Sequence, residues 1–393
     1  MTKVQPNSRL LSLDVLRGIT IAGMIMVNNP GSWGHIYAPL EHAQWLGLTP
    51  TDLVFPFFMF IMGISTYMSL RKYNFQMSAS AAVKIIRRTI VIFAIGLGIA
   101  WLGLAMRTYN QLESENLPFF QRLGEAMWNF DRIRILGVMP RLAIAYGVSA
   151  LIALSVKHKY IPALILTTLA IYFIILITGN GFEFSENNIL SVVDRAILGS
   201  NHMYHDGGLA LDPEGLLSTI PSICHVLIGF YCGMLIMSTK DNSERIQYLF
   251  IVGAILTFGG FLLDYGCPIS KKIWSPTFVF ATCGMASTFL ALLIWIIDIK
   301  GYKAWSRFFE AFGINPLFMY VLGAVLSILM GNIYVTSGGE LVTIKGFIYN
   351  GLLVPALGDK TFASLVFALL FVGFNWIVAV SYTHLRAHET CAD

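Results

Sequence analysis

Ten apolar runs of roughly bilayer length divide this sequence, and they limit what it can fold into. They lie near residues 13–29, 51–70, 83–104, 133–156, 160–178, 215–237, 247–265, 275–298, 309–330 and 361–380. A hydrocarbon core about 30 Å thick takes about 20 apolar residues of helix to cross. Inside it every backbone N–H and C=O must find a partner within the protein, which makes helices the natural element. The expected fold is all-α, a polytopic transmembrane helical bundle of about ten spanning helices, with residues 1–380 as one domain. Charged residues make up 12% of the chain, about half the share usual in a soluble domain, about 25%. A net charge of +4, spread along the chain, argues against nucleic acid as a partner. The lipid bilayer is the partner that composition implies.

Lysines and arginines in the loops suggest an orientation. With the N-terminus cytoplasmic, fourteen fall on the cytoplasmic side and nine on the other. This predicts an inner-membrane, multi-pass protein with both termini cytoplasmic, and places the acidic loop 179–214 outside. Residues 341–357 contain Lys345, Asn350, Gly351 and Pro355 and are expected to be interfacial or re-entrant. Asp14 and Arg17 in the first run, with no small-residue cleavage site after it, argue against a secretory signal. From Ser381 the chain reads SYTHLRAHETCAD, which resembles a translated sequencing adapter. Residues 381–393 are expected to be a non-native tail, so His384 and His388 are set aside. Cys224 and Cys232, eight apart on one expected helix, lie about 12 Å apart along its axis and cannot pair.

The loop between the first two runs holds the most chemistry. His42 there is suited to general-base work on an amine or hydroxyl. Asn28 and Asn29 end the first run before Pro30. Such an asparagine either caps the helix or offers its amide to a reacting carbonyl. Thr49, Pro50 and Asp52 read as a variant capping box opening the second helix. Arg71, Lys72, Lys84, Arg87 and Arg88 flank one cytoplasmic loop, where they anchor the helices or meet a phosphate-rich ligand. Arg141 lies two turns deeper than Arg134 on nearly the same face, and an arginine at that depth is a functional candidate. Asp212, Pro213 and Glu214 give a second helix-start signal on the outer side. His202, His205 and Asp206 match no strong metal pattern, and no metal is expected. Lys271 and Lys272, beside Trp274, read as an interfacial anchor.

Seven segments together resemble a known family. They are LLSLDVLRGI (10–19), EHAQWLGLTPTDLVFPFFMFIMG (41–63), GVMPRLAIAY (137–146), DRAILGSNHMY (194–204), LDPEGLLSTIP (211–221), PISKKIWSPTFV (268–279) and FGINPLFMYV (312–321). In this order they resemble the heparan-alpha-glucosaminide N-acetyltransferase family and its bacterial relatives, over about residues 8–380. The resemblance implies a transmembrane acetyltransferase that takes acetyl-CoA from the cytoplasm and acetylates a glucosamine amine across the membrane. It implies His42 as the active-site histidine and Asn28 as the active-site asparagine. With it, Arg141, Arg71, Lys72 and Arg88 become candidates for the CoA phosphates. Asp212, Glu214, His202 and Trp45 become candidates for an amino sugar or glycan. Direct transfer and an acetyl-histidine intermediate are both open, and a homodimer is compatible with the pattern. An amino-sugar transporter, an O-acyltransferase of cell-surface polysaccharide and a scaffold protein are the alternatives.

Overall fold

The computed structural model describes residues 10–115, 117–239 and 241–389, without side chains at 114 and 382–389. All ten apolar runs are helical. Helix α1 (Leu11–Val27) is mostly buried, including Asp14. A 3-10 turn, Pro50–Leu53, leads into α2 (Val54–Leu70), and α3 (Ala79–Gln111) is the longest helix of the membrane region. After the short α4 (Phe119–Met127) come α5 (Val138–Ser155) and α6 (Ile161–Thr178). A loop carrying α7 (Ile189–Leu198) and a two-residue hairpin, β1 (His205–Asp206) with β2 (Leu209–Ala210), leads to α8 (Leu216–Ser238). Then follow α9 (Asn242–Leu263), α10 (Pro276–Leu293), α11 (Ser306–Ile314) and α12 (Pro316–Asn332). A hairpin of β3 (Tyr334–Ser337) and β4 (Glu340–Thr343) precedes α13 (Ile344–Gly346), a π turn and α14 (Val354–Leu357). Helix α15 (Lys360–Glu389) ends the described chain.

Eight of the described helices are long and apolar enough to cross a membrane, or nine if one bent pair counts as a span. Two of the ten runs depart from a plain long span. The first, α1, has 17 residues, about 25 Å at 1.5 Å per residue, and serves as a core helix. The ninth is broken: α11 and α12 meet at 89° across Asn315 and Pro316. Proline has no N–H to continue a helix, and Asn315 and Pro316 at the break are half-buried. The apolar stretch Ile344–Leu357 is shorter than a span, as its interfacial or re-entrant reading required. Of the expected non-native tail, Ser381 is described in full, 382–389 without side chains, and 390–393 lie outside the described residues.

Small residues set the closest crossings. A Cβ on Gly63 of α2 would lie 2.1 Å from Val226 O of α8, and one on Gly229 would lie 2.1 Å from Phe60 O. Backbones this close give van der Waals contact that lipid cannot replace. Hydrogen bonds bring the loops after α1, α6 and α9 together on one face. There Trp45 Nε1 donates to Phe182 O at 2.7 Å, Ser270 Oγ donates to Trp45 O at 2.6 Å, and Gly47 N donates to Ile269 O at 2.7 Å. These bonds tie three loops into one roof.

Candidate active site

The roof's chemistry centres on the first turn of the Pro50–Leu53 element. Thr49 and Asp52 form the expected capping box, but the carboxylate does more than cap. Asp52 Oδ2 accepts from Thr49 N (3.2 Å), Thr49 Oγ1 (3.0 Å) and Ala43 N (3.1 Å). Its Oδ1 lies 2.6 Å from His42 Nδ1 and 3.4 Å from Lys271 Nζ. Lys271 Nζ is also 3.1 Å from His42 Nδ1. An ionised carboxylate only accepts, so Nδ1–H donates to Oδ1 and the Nε2 lone pair is left open. The His42 side chain is 40% exposed and that of Asp52 only 1%. A buried carboxylate thus holds a reachable imidazole in its general-base tautomer.

A second cluster adjoins the first. Arg134 grips Asp212 with two bonds, Nε to Oδ2 at 2.9 Å and Nη2 to Oδ1 at 2.5 Å. Its Nη2 also reaches Glu214 Oε2 at 2.6 Å. Asp212 further accepts from the backbone N–H groups of Tyr204 (3.0 Å) and Glu214 (2.9 Å). Burial alone would raise the Glu214 pKa, but Arg134, Arg141 and Lys271 outweigh it and hold the group below its ordinary value. Burial lowers the Lys271 pKa, with Asp52 and Glu214 partly offsetting the cost. The two clusters are therefore coupled through Lys271 and Glu214.

Several expected roles change at this point. Asp212 has no open edge: its side chain is fully buried and both oxygens are occupied, so it fixes Arg134 and cannot hold a sugar. Glu214 keeps Oε1 free of any bond among the described residues. Trp45 is an anchor, bonded to Phe182 O with its ring 5.1 Å from Phe184. His202 is tied to the chain before α5, with Nδ1 2.8 Å from Ile133 O. Asn29 is buried and donates to Ile25 O at 2.7 Å, whereas Asn28 is exposed at the end of α1. Of the pair, Asn28 has the available amide. His205 and Asp206 turn to different partners, Ser200 and Lys272.

Arg141 also moves. It is fully buried in the first turns of α5, donates to Ser218 Oγ and to Gly215 O (3.2 Å), and stacks 4.9 Å from the Trp274 ring. It belongs to the roofed end, near Glu214. Arg71 and Lys72 are exposed at the other end, after α2, and Arg88 stacks on Tyr146 at 4.7 Å. Arg141 is therefore buried, whereas Arg71, Lys72 and Arg88 are exposed. Asp52 and Lys271 were missed as site residues. A capping box and an interfacial lysine are complete local explanations, so nothing in the spacing pointed to His42.

Residues 9–112 match the family model described as heparan-alpha-glucosaminide N-acetyltransferase, catalytic. That stretch contains Asn28, His42 and Asp52. The chain is 26% identical over 386 residues to heparan-alpha-glucosaminide N-acetyltransferase of Mus musculus, covering 83% of this chain and 55% of the relative. The protein of the same name from Homo sapiens is 27% identical over 379 residues, covering 80% and 52%. Over these stretches the chain is similar to the heparan-alpha-glucosaminide N-acetyltransferases. It spans about half the length of these curated relatives. The matched stretch covers α1 to α3, the part of the fold that carries the His42 loop.

Behind the site, Asp194 caps α8: its Oδ1 accepts from Leu216 N (2.9 Å) and Leu217 N (3.4 Å). Burial pushes its pKa up to about 6 despite those two bonds. The folded state then binds the proton more tightly than the unfolded chain. The stability this gives is full below about pH 4 and is lost as pH rises through about 6. Asp194→Asn is expected to keep the cap and to flatten this dependence. The difference in melting temperature between pH 4.5 and pH 7 should shrink; an unchanged difference would refute the assignment.

Proposed function

We propose that this protein is a transmembrane acyltransferase. It moves an acetyl group from acetyl-CoA to the amine of a glucosamine-type sugar at the roofed face. The observation that carries this reading is the His42–Asp52 pair, with a carboxylate of 1% exposure holding an imidazole of 40% exposure at 2.6 Å. The printed names of the relatives point the same way. At the opposite face Arg71, Lys72, Lys84, Arg87 and Arg88 have no carboxylate partner among the described residues. That is the charge expected where CoA phosphates dock. In the cell this arrangement fits an inner-membrane protein with both termini and the cation cluster cytoplasmic.

The acceptor amine attacks the thioester carbonyl carbon. His42 Nε2 takes the proton that the nitrogen loses, and the C–S bond breaks as the carbonyl reforms. The imidazolium returns the proton to the departing thiolate, so free CoA leaves. Asp52 stabilises the imidazolium without taking its proton. Asn28 is the donor proposed for the developing oxyanion, and the free oxygen of Glu214 is proposed to hold the sugar. The test is CoA release by detergent-solubilised protein given acetyl-CoA and glucosamine. Release is expected to need both substrates and to fall to background in His42→Ala. Full release by that variant would remove His42 from the mechanism.

A further inference from the structure

Lys271 is held too firmly for an interfacial anchor. Its ammonium pairs with Asp52 Oδ1 at 3.4 Å and lies 3.1 Å from His42 Nδ1, whose own N–H points at the same carboxylate, with the side chain 16% exposed. The turn that carries it is braced at several points. Trp274 N donates to Lys271 O at 3.1 Å, and Ser270 N donates to Ser275 Oγ at 3.0 Å. Trp274 itself sits at φ +52, buried, a backbone conformation uncommon outside glycine. Local strain of this kind persists only when surrounding contacts enforce it. Here it points Trp274 at Arg141 and leaves Lys271 facing the dyad.

The charges around His42 come from every element packed there. Asp52 opens α2, and Asp212 and Glu214 precede α8. Against them stand Lys271 before α10, Arg134 before α5 and Arg141 within α5. Three carboxylates therefore face three cations. Asp194 lies behind them and caps the positive end of α8. Glu41 is exposed, where solvent screens it. Next to the imidazole, Lys271 offsets Asp52. An ammonium would add an uncompensated positive charge, whereas a free amine or a hydroxyl would add none. Without Lys271 the Asp52 carboxylate behind the ring would attract a cation.

We propose that Lys271 sets the charge class of the acceptor: by cancelling Asp52 behind His42, it removes the attraction for ammonium at the imidazole and favours an uncharged nucleophile, a free amine or a hydroxyl. The inference rests on the acyl-transfer reading of the same site. It also fits the chemistry, because an ammonium has no lone pair to attack with, whereas a free amine attacks first and gives its proton to His42 afterwards. Lys271 is a positioning residue that acts through the potential at the imidazole.

That potential is measurable without any acceptor. His42 in the full-length solubilised protein is alkylated with iodoacetate, an anion, and with iodoacetamide, which is neutral. The two rates are read by mass spectrometry of the His42 peptide. Their ratio cancels effects of exposure and protonation that both reagents share. Lys271→Met is expected to lower the anion-to-neutral ratio about tenfold, the scale of one unit charge a few ångströms away at a partly solvated site. Lys271→Arg is expected to keep it within about twofold. Equal ratios in wild type and Lys271→Met would overturn the proposal. If Lys271→Met does not fold, the wild-type ratio decides: at or above that of free imidazole supports the proposal, and tenfold below it, the mark of an uncompensated carboxylate, overturns it. CoA release on the same preparation separates the two readings. No release with the expected ratios removes acyl transfer and leaves the charge assignment standing. Release with unchanged ratios does the reverse.

Discussion

Asp52→Asn is expected to slow acetyl transfer by about 10²- to 10⁴-fold while leaving the bundle folded, the range a positioned general base contributes. The asparagine oxygen can still accept from Ala43 N and Thr49 N, which hold Asp52 Oδ2 now. Its amide nitrogen then faces His42 Nδ1, where Oδ1 sits at 2.6 Å. An amide N–H can only donate there, so the ring must accept at Nδ1 and carry its proton on Nε2. That tautomer cannot take a proton from the acceptor. The change in the cap should cost about 1 kcal/mol, and Lys271, whose side chain is 16% exposed, keeps a route to water when the carboxylate goes, so the bundle should stay folded. Initial rates of CoA release at saturating acetyl-CoA and glucosamine, with melting temperature as the folding control, decide the matter. A folded variant keeping more than about a tenth of the rate would show that His42 does not need the carboxylate and is not the base.

Arg134→Met is expected to be the most destabilising single change in the polar part of the molecule. The guanidinium neutralises two carboxylates at once, through bonds of 2.9, 2.5 and 2.6 Å. Asp212, fully buried, has no route to water when the cation goes. Removing one partner of a buried pair costs about 3–5 kcal/mol because the other charge is stranded. For a chain of this size that should lower the melting temperature by about 5 °C. Adding Asp212→Asn to the variant removes the stranded charge and should recover part of the loss. A melting temperature unchanged by Arg134→Met would show that solvent reaches Asp212 and that the pair is not structural. Arg134→Lys should be intermediate, since a single ammonium cannot reproduce the fork that bonds both Asp212 oxygens.

The spanning helices were legible because the bilayer imposes a one-dimensional rule on them. A run such as 83–104 must be helical whatever its neighbours do. That rule is silent about burial and about breaks, and it failed there. Helix α1 is short and sits in the core because other helices surround it. The α11–α12 bend was visible only as an Asn-Pro pair, whose angle of 89° depends on what it packs against. His42 and Asn28 could be singled out because they stand at the loop ends of apolar runs and fall on recognisable segments.

Side-chain partners were not legible. Thr49 and Asp52 satisfied a local pattern, so the second oxygen of Asp52 gave no sign of reaching His42. Arg141 looked like part of a cationic set with Arg71 and Arg88, because depth along a helix does not say which end of the bundle that helix enters first. Lys271, 229 residues from His42 in the chain, could not be tied to it by any spacing.

By itself, then, the sequence determined the class of fold, the approximate spans and the loop that carries His42. Each of these follows from hydrophobicity and local backbone preference, which act over a few turns of chain. Only the tertiary structure decided that Asp52 and Lys271 flank His42 and that Arg134 closes over Asp212 and Glu214. It also decided that Arg141 belongs to the roofed end. Hydrogen bonds and buried charges act over a few ångströms, so their partners are chosen by how the helices pack and how the loops cross.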